Sequence, residues 1–418
     1  MSVRRKVLLI EPTAEGHHFA LYLRHVLRKL IDEGCDISLL TTGAAIRHAS
    51  FGLLADELRD VAVHQLPDLP AAARPRPLSL LVAQIRCWFI LRRAFASIAT
   101  RQRFDVVYIP TGDWITKALE LLGSPFGTVP FSLLFMSPKH HRLSTGLGPA
   151  GHSDRLYDRL FRRLLRLPTL GSLLVIDEIF LDFAHREYGP LADKVKYAPD
   201  FGELHGQGDR TQCRASLGIR EGSVVVLVYG GLNLRKGIVE LVEAVSDPAA
   251  PTDVVVLFAG SPAPDTSVFL DSAAVARLKD SGRALFCLHF HDDEEEYRVL
   301  NAADHVWLGY VGGFYGSSGV LHKAISAKTP VIAMNGGLVG RLTEKYRLGV
   351  TVDVHSKRSI IDGLKRAVAA TNAYQLTPEA QSFAAAHTGS RHGEAVFKAL
   401  FGDVVVDDTK RAPRSELP

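Results

Sequence analysis

At 418 residues the chain is too long for one ordinary core and suits two domains of α/β size. A composition of 47% hydrophobic and 22% charged residues excludes a disordered or fibrous chain, and four scattered cysteines without C-x-x-C spacing exclude a disulfide framework or a zinc ribbon and suit a reducing compartment. The net charge of +4 is unevenly held: residues 1–200 carry 26 Lys and Arg against 20 Asp and Glu, the remainder 23 against 25.

The chain opens with "MSVRRKVLLIEP", whose apolar run from Val7 to Ile10 is far shorter than the roughly 7–15 residues of a signal-peptide core. It reads as a buried first strand in a cytoplasmic protein. "EGHHFALYLRHVLRKLIDEGC" is then a loop and a helix ending near Gly34, and "DISLLTT" a second strand. From Arg74 to Arg103 there are seven arginines and no acid. The apolar stretch inside it, "LSLLVAQIRCWFILRRAF", is broken by Gln84, Arg86, Arg92 and Arg93, which excludes a membrane span. "DVVYIP" is a strand and "TGDWITKALELLG" its helix, with Asp113 near the start and Gly123 past the end. "VPFSLLFM", the basic helix "RLYDRLFRRLLRL", "GSLLVID", the helix "EIFLDFAHREYG" and the short "KVKYAPD" complete the half. These strands are apolar throughout, the pattern of a parallel sheet covered on both faces.

"FGELHGQGDRTQ" is a polar linker, after which the alternation restarts. "SVVVLVYGG", "DVVVLFAGS", "ALFCLHF", "DHVWLGYV", "PVIA" and "LGVTVDV" read as strands, with helices in "NLRKGIVELVEAV", "DDEEEYRVLNAA", "GVLHKAISA" and "KRSIIDGLKRAVAA". The expected architecture is α/β, two doubly wound Rossmann-like domains facing a cleft. The boundaries fall at 1–200 for an N-terminal domain and 201–380 for a C-terminal one. A helical segment at 381–403 would pack back on the N-terminal domain, and 404–418 would be a disordered tail.

"YGSSGVLHKA" places consecutive amides, from Gly316 through Ser317, Ser318 and Gly319 to Val320, at a helix N-terminus, where unpaired N–H groups and the helix dipole favour an anion. "NLRKG" offers Arg235 and Lys236 from a neighbouring loop. The landmarks "YGGLNLRKGIVELVEAV", "VVLFAG", "LHFHDDEEEYRVLNAADHVWL" and "GFYGSSGVLHKAISAKTPVIAMNGGLVGRL" occur together and in order. In them residues 215–355 resemble the large retaining family of bacterial nucleotide-sugar-dependent glycosyltransferases (family 4-like), whose two-Rossmann architecture is called GT-B. The first half resembles it only in outline.

The resemblance implies that the C-terminal domain holds a nucleotide-sugar by its diphosphate. Lys236 matches the family's diphosphate lysine. The partner arginine expected five residues earlier is Gly231, so Arg235 is the substitute. Two glutamates that grip sugar and ribose in the family fall at Tyr315 and Lys323, and no Asp or Glu occurs between Asp304 and Glu344. Lys323 is therefore placed at the nucleotide with altered chemistry. In the N-terminal half, His17 and Asp113 are the candidate catalytic residues, with helix-start and cap readings open for each. His18 lies beside His17. The family's histidine after the "PFSLLFM" strand is Met136, with His140 and His141 shortly beyond. His289 and His291 alternate on one strand, but two ligands do not make a metal site, and no metal or cofactor beyond the donor is expected.

The implied activity is transfer of a sugar from a nucleotide-sugar to an acceptor, either lipid-linked or a growing polysaccharide. A nucleotide-sugar epimerase and a non-catalytic nucleotide-sugar-binding subunit are the alternatives. Two basic segments with aromatic and apolar residues, Arg74–Arg103 (Trp88, Phe89, Leu91, Phe95) and Lys139–Arg166 (Leu156, Tyr157, Phe161, Leu164), suit an anionic membrane surface at the inner face of the membrane. Nucleic acid is not an expected partner, since none of its recognition motifs occurs.

Overall fold

Apolar runs bounded by turn residues become the strands of two parallel sheets. The structure, a computed structural model, describes residues 4–14, 17–70, 77–148, 151, 154–371 and 376–402, with His17, His18 and Pro77 given by backbone alone. The expected tail at 404–418 lies outside the described residues.

The first sheet contains β1 (Lys6–Ile10), β2 (Asp36–Thr42), β3 (Ala62–Leu66), β4 (Val106–Ile109), β5 (Phe131–Phe135), β6 (Leu170–Val175) and β7 (Val195–Tyr197). Its order is β3-β2-β1-β4-β5-β6-β7, with all pairs parallel. The second contains β8 (Val224–Tyr229), β9 (Val254–Ala259), β10 (Ala284–Cys287), β11 (His305–Leu308), β12 (Val331–Met334) and β13 (Gly349–Val352), in the order β10-β9-β8-β11-β12-β13 and again parallel. The doubly wound expectation is met in both halves.

Side-chain alternation divides the first core in two. Leu8, Ile10, Val107 and Ile109 face Trp88, Phe95 and Phe126 on one side of the sheet, while Val7, Leu9 and Tyr108 face Phe19, Leu23 and Leu27 on the other. The sequence reading passes over β3, and its physical character explains why. It is an edge strand in which Leu66 alone is buried and Val63 is 40% exposed, so it carries no apolar run.

The apolar residues proposed for a membrane-facing surface separate in the fold. In the helix Pro77–Ala99, Trp88, Leu91 and Phe95 are buried against the sheet, while Leu78, Leu80, Val82 and Phe89 are exposed. In the helix Asp154–Leu165, Phe161 and Leu164 are buried and Leu156 is exposed. Helical spacing places Arg155, Arg159 and Arg163 on the opposite, exposed face, and Arg166 continues it. The helix Thr116–Leu122 packs against both of these helices, so the three form one layer.

The chain crosses between the units twice. The first crossing follows β7. The second joins the helix Pro378–Ala386, which packs on the helix Gly319–Ser326, to the helix Gly389–Phe401. That last helix lies on the first unit against His17–Asp32, and Ser172 Oγ donates to its Ala399 carbonyl at 2.9 Å.

Candidate functional site

In each sheet the chain steps outward, then returns to the middle. The loops leaving β1 and β4, and those leaving β8 and β11, therefore diverge and open a crevice at the strands' carboxyl ends. Both sets of candidate residues lie there.

After β8 the turn Leu234–Lys236 is pinned from behind by Trp307 Nε1, which donates to Lys236 O at 2.8 Å, and by the Val311 amide, which donates to Arg235 O at 2.8 Å. Gly237 then takes φ +65°. A Cβ there would lie 2.0 Å from Gly309 O, so the turn demands glycine. Lys236 points inward. Its Nζ donates to Tyr229 O at 2.8 Å and lies 5.6 Å from the Tyr310 ring centroid. Burial first, and the Arg235 charge second, bring its pKa down to about 8. Arg235 is exposed, with its guanidinium 4.9 Å from the Phe314 ring centroid.

After β11 the glycine-rich loop ends at Ser318, the N-cap of the helix Gly319–Ser326. Ser318 Oγ accepts from the Leu321 amide and shares a 2.8 Å hydrogen bond with Tyr310 OH. The amides from Gly316 to Val320 donate to no other described residue, which leaves the helix start able to accept an anion. Gly230, at φ +91°, is the meeting point. Val320 Cγ2 lies 3.8 Å, and Lys236 Nζ 3.9 Å, from where its Cβ would stand. Lys236 and Val320 thus meet at Gly230, and Arg235 reaches the glycine-rich loop at Phe314.

Lys323 is placed differently. Its Nζ pairs with Glu296 from the helix Asp293–Ala302, and the Tyr229 hydroxyl bonds the same carboxylate. Tyr315 lies at the junction with the first unit. The Arg142 guanidinium sits 4.7 Å from its ring centroid, and a Cβ on Gly148 would fall 2.4 Å from its Cζ. The loop after β5 therefore reaches across to the glycine-rich loop. A cavity of about 290 Å³ beside this contact is lined by Leu147, Tyr310, Tyr315, Asn335 and Asp353.

On the first unit's side, Glu11 follows β1 and is buried. It accepts hydrogen bonds from Thr111 Oγ1, after β4, and from the amide and hydroxyl of Thr13. Burial outweighs those bonds and lifts the Glu11 carboxyl to about 7. Asp113 accepts from the Met136 amide at 2.8 Å and the Ser137 amide at 3.1 Å, so it fixes the chain leaving β5. Burial raises its pKa against the lowering effect of those bonds. His17 begins the helix His17–Asp32, and its side chain lies outside the described residues. His140 bonds Tyr188 OH at 2.6 Å, and burial lowers its pKa to about 4. His141 lies 3.1 Å from Asp177. The rings of His289 and His291 stack at 4.6 Å, and His289 bonds Glu295.

Three cleft residues escape the sequence reading: Glu11, Arg142 and Asp200. The signal for two of them is a carboxylate closely following a strand, in "KVLLIE" and "KVKYAPD".

No protein-family model and no curated protein matches the chain. Solved structures do, over nearly the whole length. The Anabaena protein Alr3699/HepE, solved with UDP, superposes with a TM-score of 0.67 at 15% identity, covering 94% of this chain and 99% of that one. A glycosyltransferase from Rickettsia africae gives a TM-score of 0.65 at 12% identity, covering 96% and 100%. WaaG, a glycosyltransferase involved in lipopolysaccharide biosynthesis, gives 0.60 at 14% identity, covering 95% and 100%. Two parallel α/β units facing a cleft, matched end to end by such structures, give this chain the GT-B fold.

Proposed function

We propose that this protein is a nucleotide-sugar-dependent glycosyltransferase, of the retaining kind that residues 215–355 resemble. The observation that carries the reading is the meeting of Lys236 and Val320 at Gly230, at the second unit's switch point, with Arg235 against Phe314 of the glycine-rich loop and the Gly316–Val320 amides donating to no other described residue. A diphosphate seated there has helix-terminal N–H groups on one side and cations on the other. As the bond from the sugar's anomeric carbon to the phosphate oxygen breaks, those groups stabilise the negative charge on the leaving diphosphate. The acceptor oxygen forms the new bond to that carbon on the face the diphosphate leaves, and its proton passes to the departing phosphate oxygen. Glu11, Asp113 and His17 stand at the first unit's switch point, on the acceptor side. No metal or cofactor beyond the donor has a part in this reading.

The acceptor we propose is lipid-linked and met at an anionic membrane surface. Support comes from the layer of helices on the first unit, which presents Arg86, Arg93, Arg155, Arg159 and Arg163 together with exposed Phe89 and Leu156. No helix among the described residues is long and apolar enough to cross a membrane.

The test is turnover of a panel of labelled nucleotide-sugars, UDP-sugars first because the Anabaena structure holds UDP. Acceptor-dependent release of the nucleoside diphosphate is the expected result. Conversion to an epimeric nucleotide-sugar without acceptor would establish the epimerase reading. Tight binding without turnover of any kind would establish a non-catalytic subunit, the reading that Tyr315 and Lys323, in place of two glutamates, favour.

A further inference from the structure

Asp200 lies on the first crossing between the units and is 5% exposed. Groups from three parts of the chain converge on its carboxylate. Oδ1 accepts from the phenol of Tyr22, on the first unit's helix His17–Asp32, and from the Phe201 amide at 2.8 Å. Oδ2 accepts from the hydroxyl of Ser317, in the glycine-rich loop. His322 Nε2, on the helix which that loop begins, lies 3.3 Å from the same oxygen. Burial works to raise the carboxyl's pKa. The His322 charge and the bonds from His322, Ser317 and Tyr22 overcome it and hold the group well below the usual carboxylate range.

The second crossing packs around this cluster. The His387 ring lies 5.3 Å from His322, and its Nε2 bonds Tyr197 OH at 2.9 Å. His392 Nδ1 donates to Pro199 O at 2.9 Å, and its ring stacks on Tyr22 at 4.7 Å. A buried ionic cluster adds little net stability over apolar packing of the same volume. What it adds is geometry: four donors meet only if the loop, the crossing and the first unit hold one relative position.

We propose that Asp200 is a positioning residue which ties the glycine-rich loop to the first unit, Ser317 and His322 on one oxygen and Tyr22 on the other, so that binding of a nucleoside diphosphate and closure of the cleft are coupled. The inference rests on the donor-site reading above. Ser317 has a single hydroxyl hydrogen, and Asp200 holds it. The backbone amides of the loop are thereby left for the ligand, and the loop takes its position from the crossing. Rotation of the first unit moves Tyr22, hence Asp200, hence the loop.

The test uses the full chain with one fluorophore on each unit, titrated with UDP, and with GDP and ADP in parallel. Asp200→Asn should weaken nucleotide binding roughly tenfold or more, the loss expected when charge-assisted hydrogen bonds become neutral ones. Tyr22→Phe removes the first unit's hydrogen bond to Asp200. It should weaken nucleotide binding by a few-fold, less than Asp200→Asn and as reciprocal coupling requires, and lose most of the nucleotide-induced change in distance between the units. Tyr22→Phe carries the test alone if Asp200→Asn does not fold by circular dichroism. Wild-type closure in Tyr22→Phe, or wild-type affinity in a folded Asp200→Asn, would overturn the coupling. If the wild type binds none of the three nucleotides, the donor-site reading fails. The resting distance distribution then decides on the tie itself: broader in Tyr22→Phe if Asp200 holds the units in register, unchanged if it does not.

Discussion

Burial makes the Lys236 ammonium sensitive to pH in the range where the protein would be assayed. A pKa of about 8 in the free protein means the proton is bound below that value and partly lost above it. A diphosphate favours the charged form and raises the pKa on binding. Nucleotide affinity should therefore be full below about pH 8 and fall as pH rises beyond it. Calorimetric titration with UDP between pH 7 and roughly 9.5 measures this, the range being chosen to bracket a lysine shifted down from its ordinary value. Lys236→Met keeps the apolar stem and removes the charge. It should abolish the pH dependence and cost about 1.5–3 kcal/mol of binding. Arg235→Ala should cost less, because its exposed guanidinium already meets water. Lys236 and Arg235 stood out in the sequence as the cations of "NLRKG" and through the family resemblance. Glu11 and Asp200 carry only the weak signal of a carboxylate after a strand, which becomes informative when partners a hundred or more residues away close on it.

At the scale of elements, helix starts show how far local chemistry reaches. Asp292 and Glu295 form a reciprocal capping box at the head of the helix Asp293–Ala302, but the fourth acid of that helix, Glu296, turns inward to Lys323 and Tyr229. Sequence spacing establishes the cap, whereas packing decides which acid is buried. The helix Gly319–Ser326 should depend similarly on Ser318. Ser318→Ala removes the cap and leaves Tyr310 OH without its partner, so it should lower stability by about 1–2 kcal/mol in urea unfolding followed by the intrinsic fluorescence of the second unit. Ser318→Thr should retain most of it. The twelve strands with clear apolar runs were legible for the same local reason. The edge strand β3 was not, since one of its faces has nothing to bury against.

The first unit presents its basic layer on helices whose apolar sides are already committed to the core. Attraction to a membrane would therefore be mainly electrostatic, with Phe89, Leu156 and the start of the helix Pro77–Ala99 giving limited apolar contact. Each basic residue near an anionic surface contributes roughly 1 kcal/mol, so a handful supports reversible binding. In flotation assays the protein should rise with phosphatidylglycerol-containing vesicles at low salt, remain below with neutral vesicles, and be released as salt screens the charges. Changing Arg155, Arg159 and Arg163 together to Gln should abolish flotation without altering nucleotide binding. Failure of the wild type to float with anionic vesicles would leave a soluble acceptor.

The sequence by itself determined the class of fold. Strand and helix periodicity are properties of neighbouring residues, and a chain of alternating buried strands and amphipathic helices has few ways to cover both sheet faces. It also determined the capped helix start after the glycine-rich loop, because such a turn leaves the first amides free wherever it occurs. Only the tertiary structure decided what surrounds them. The Lys323–Glu296 pair, the Arg142–Tyr315 contact and the Asp200 cluster each join residues from 27 to 178 positions apart. Such pairs are selected by the packing of whole elements, and no local pattern in the chain encodes them.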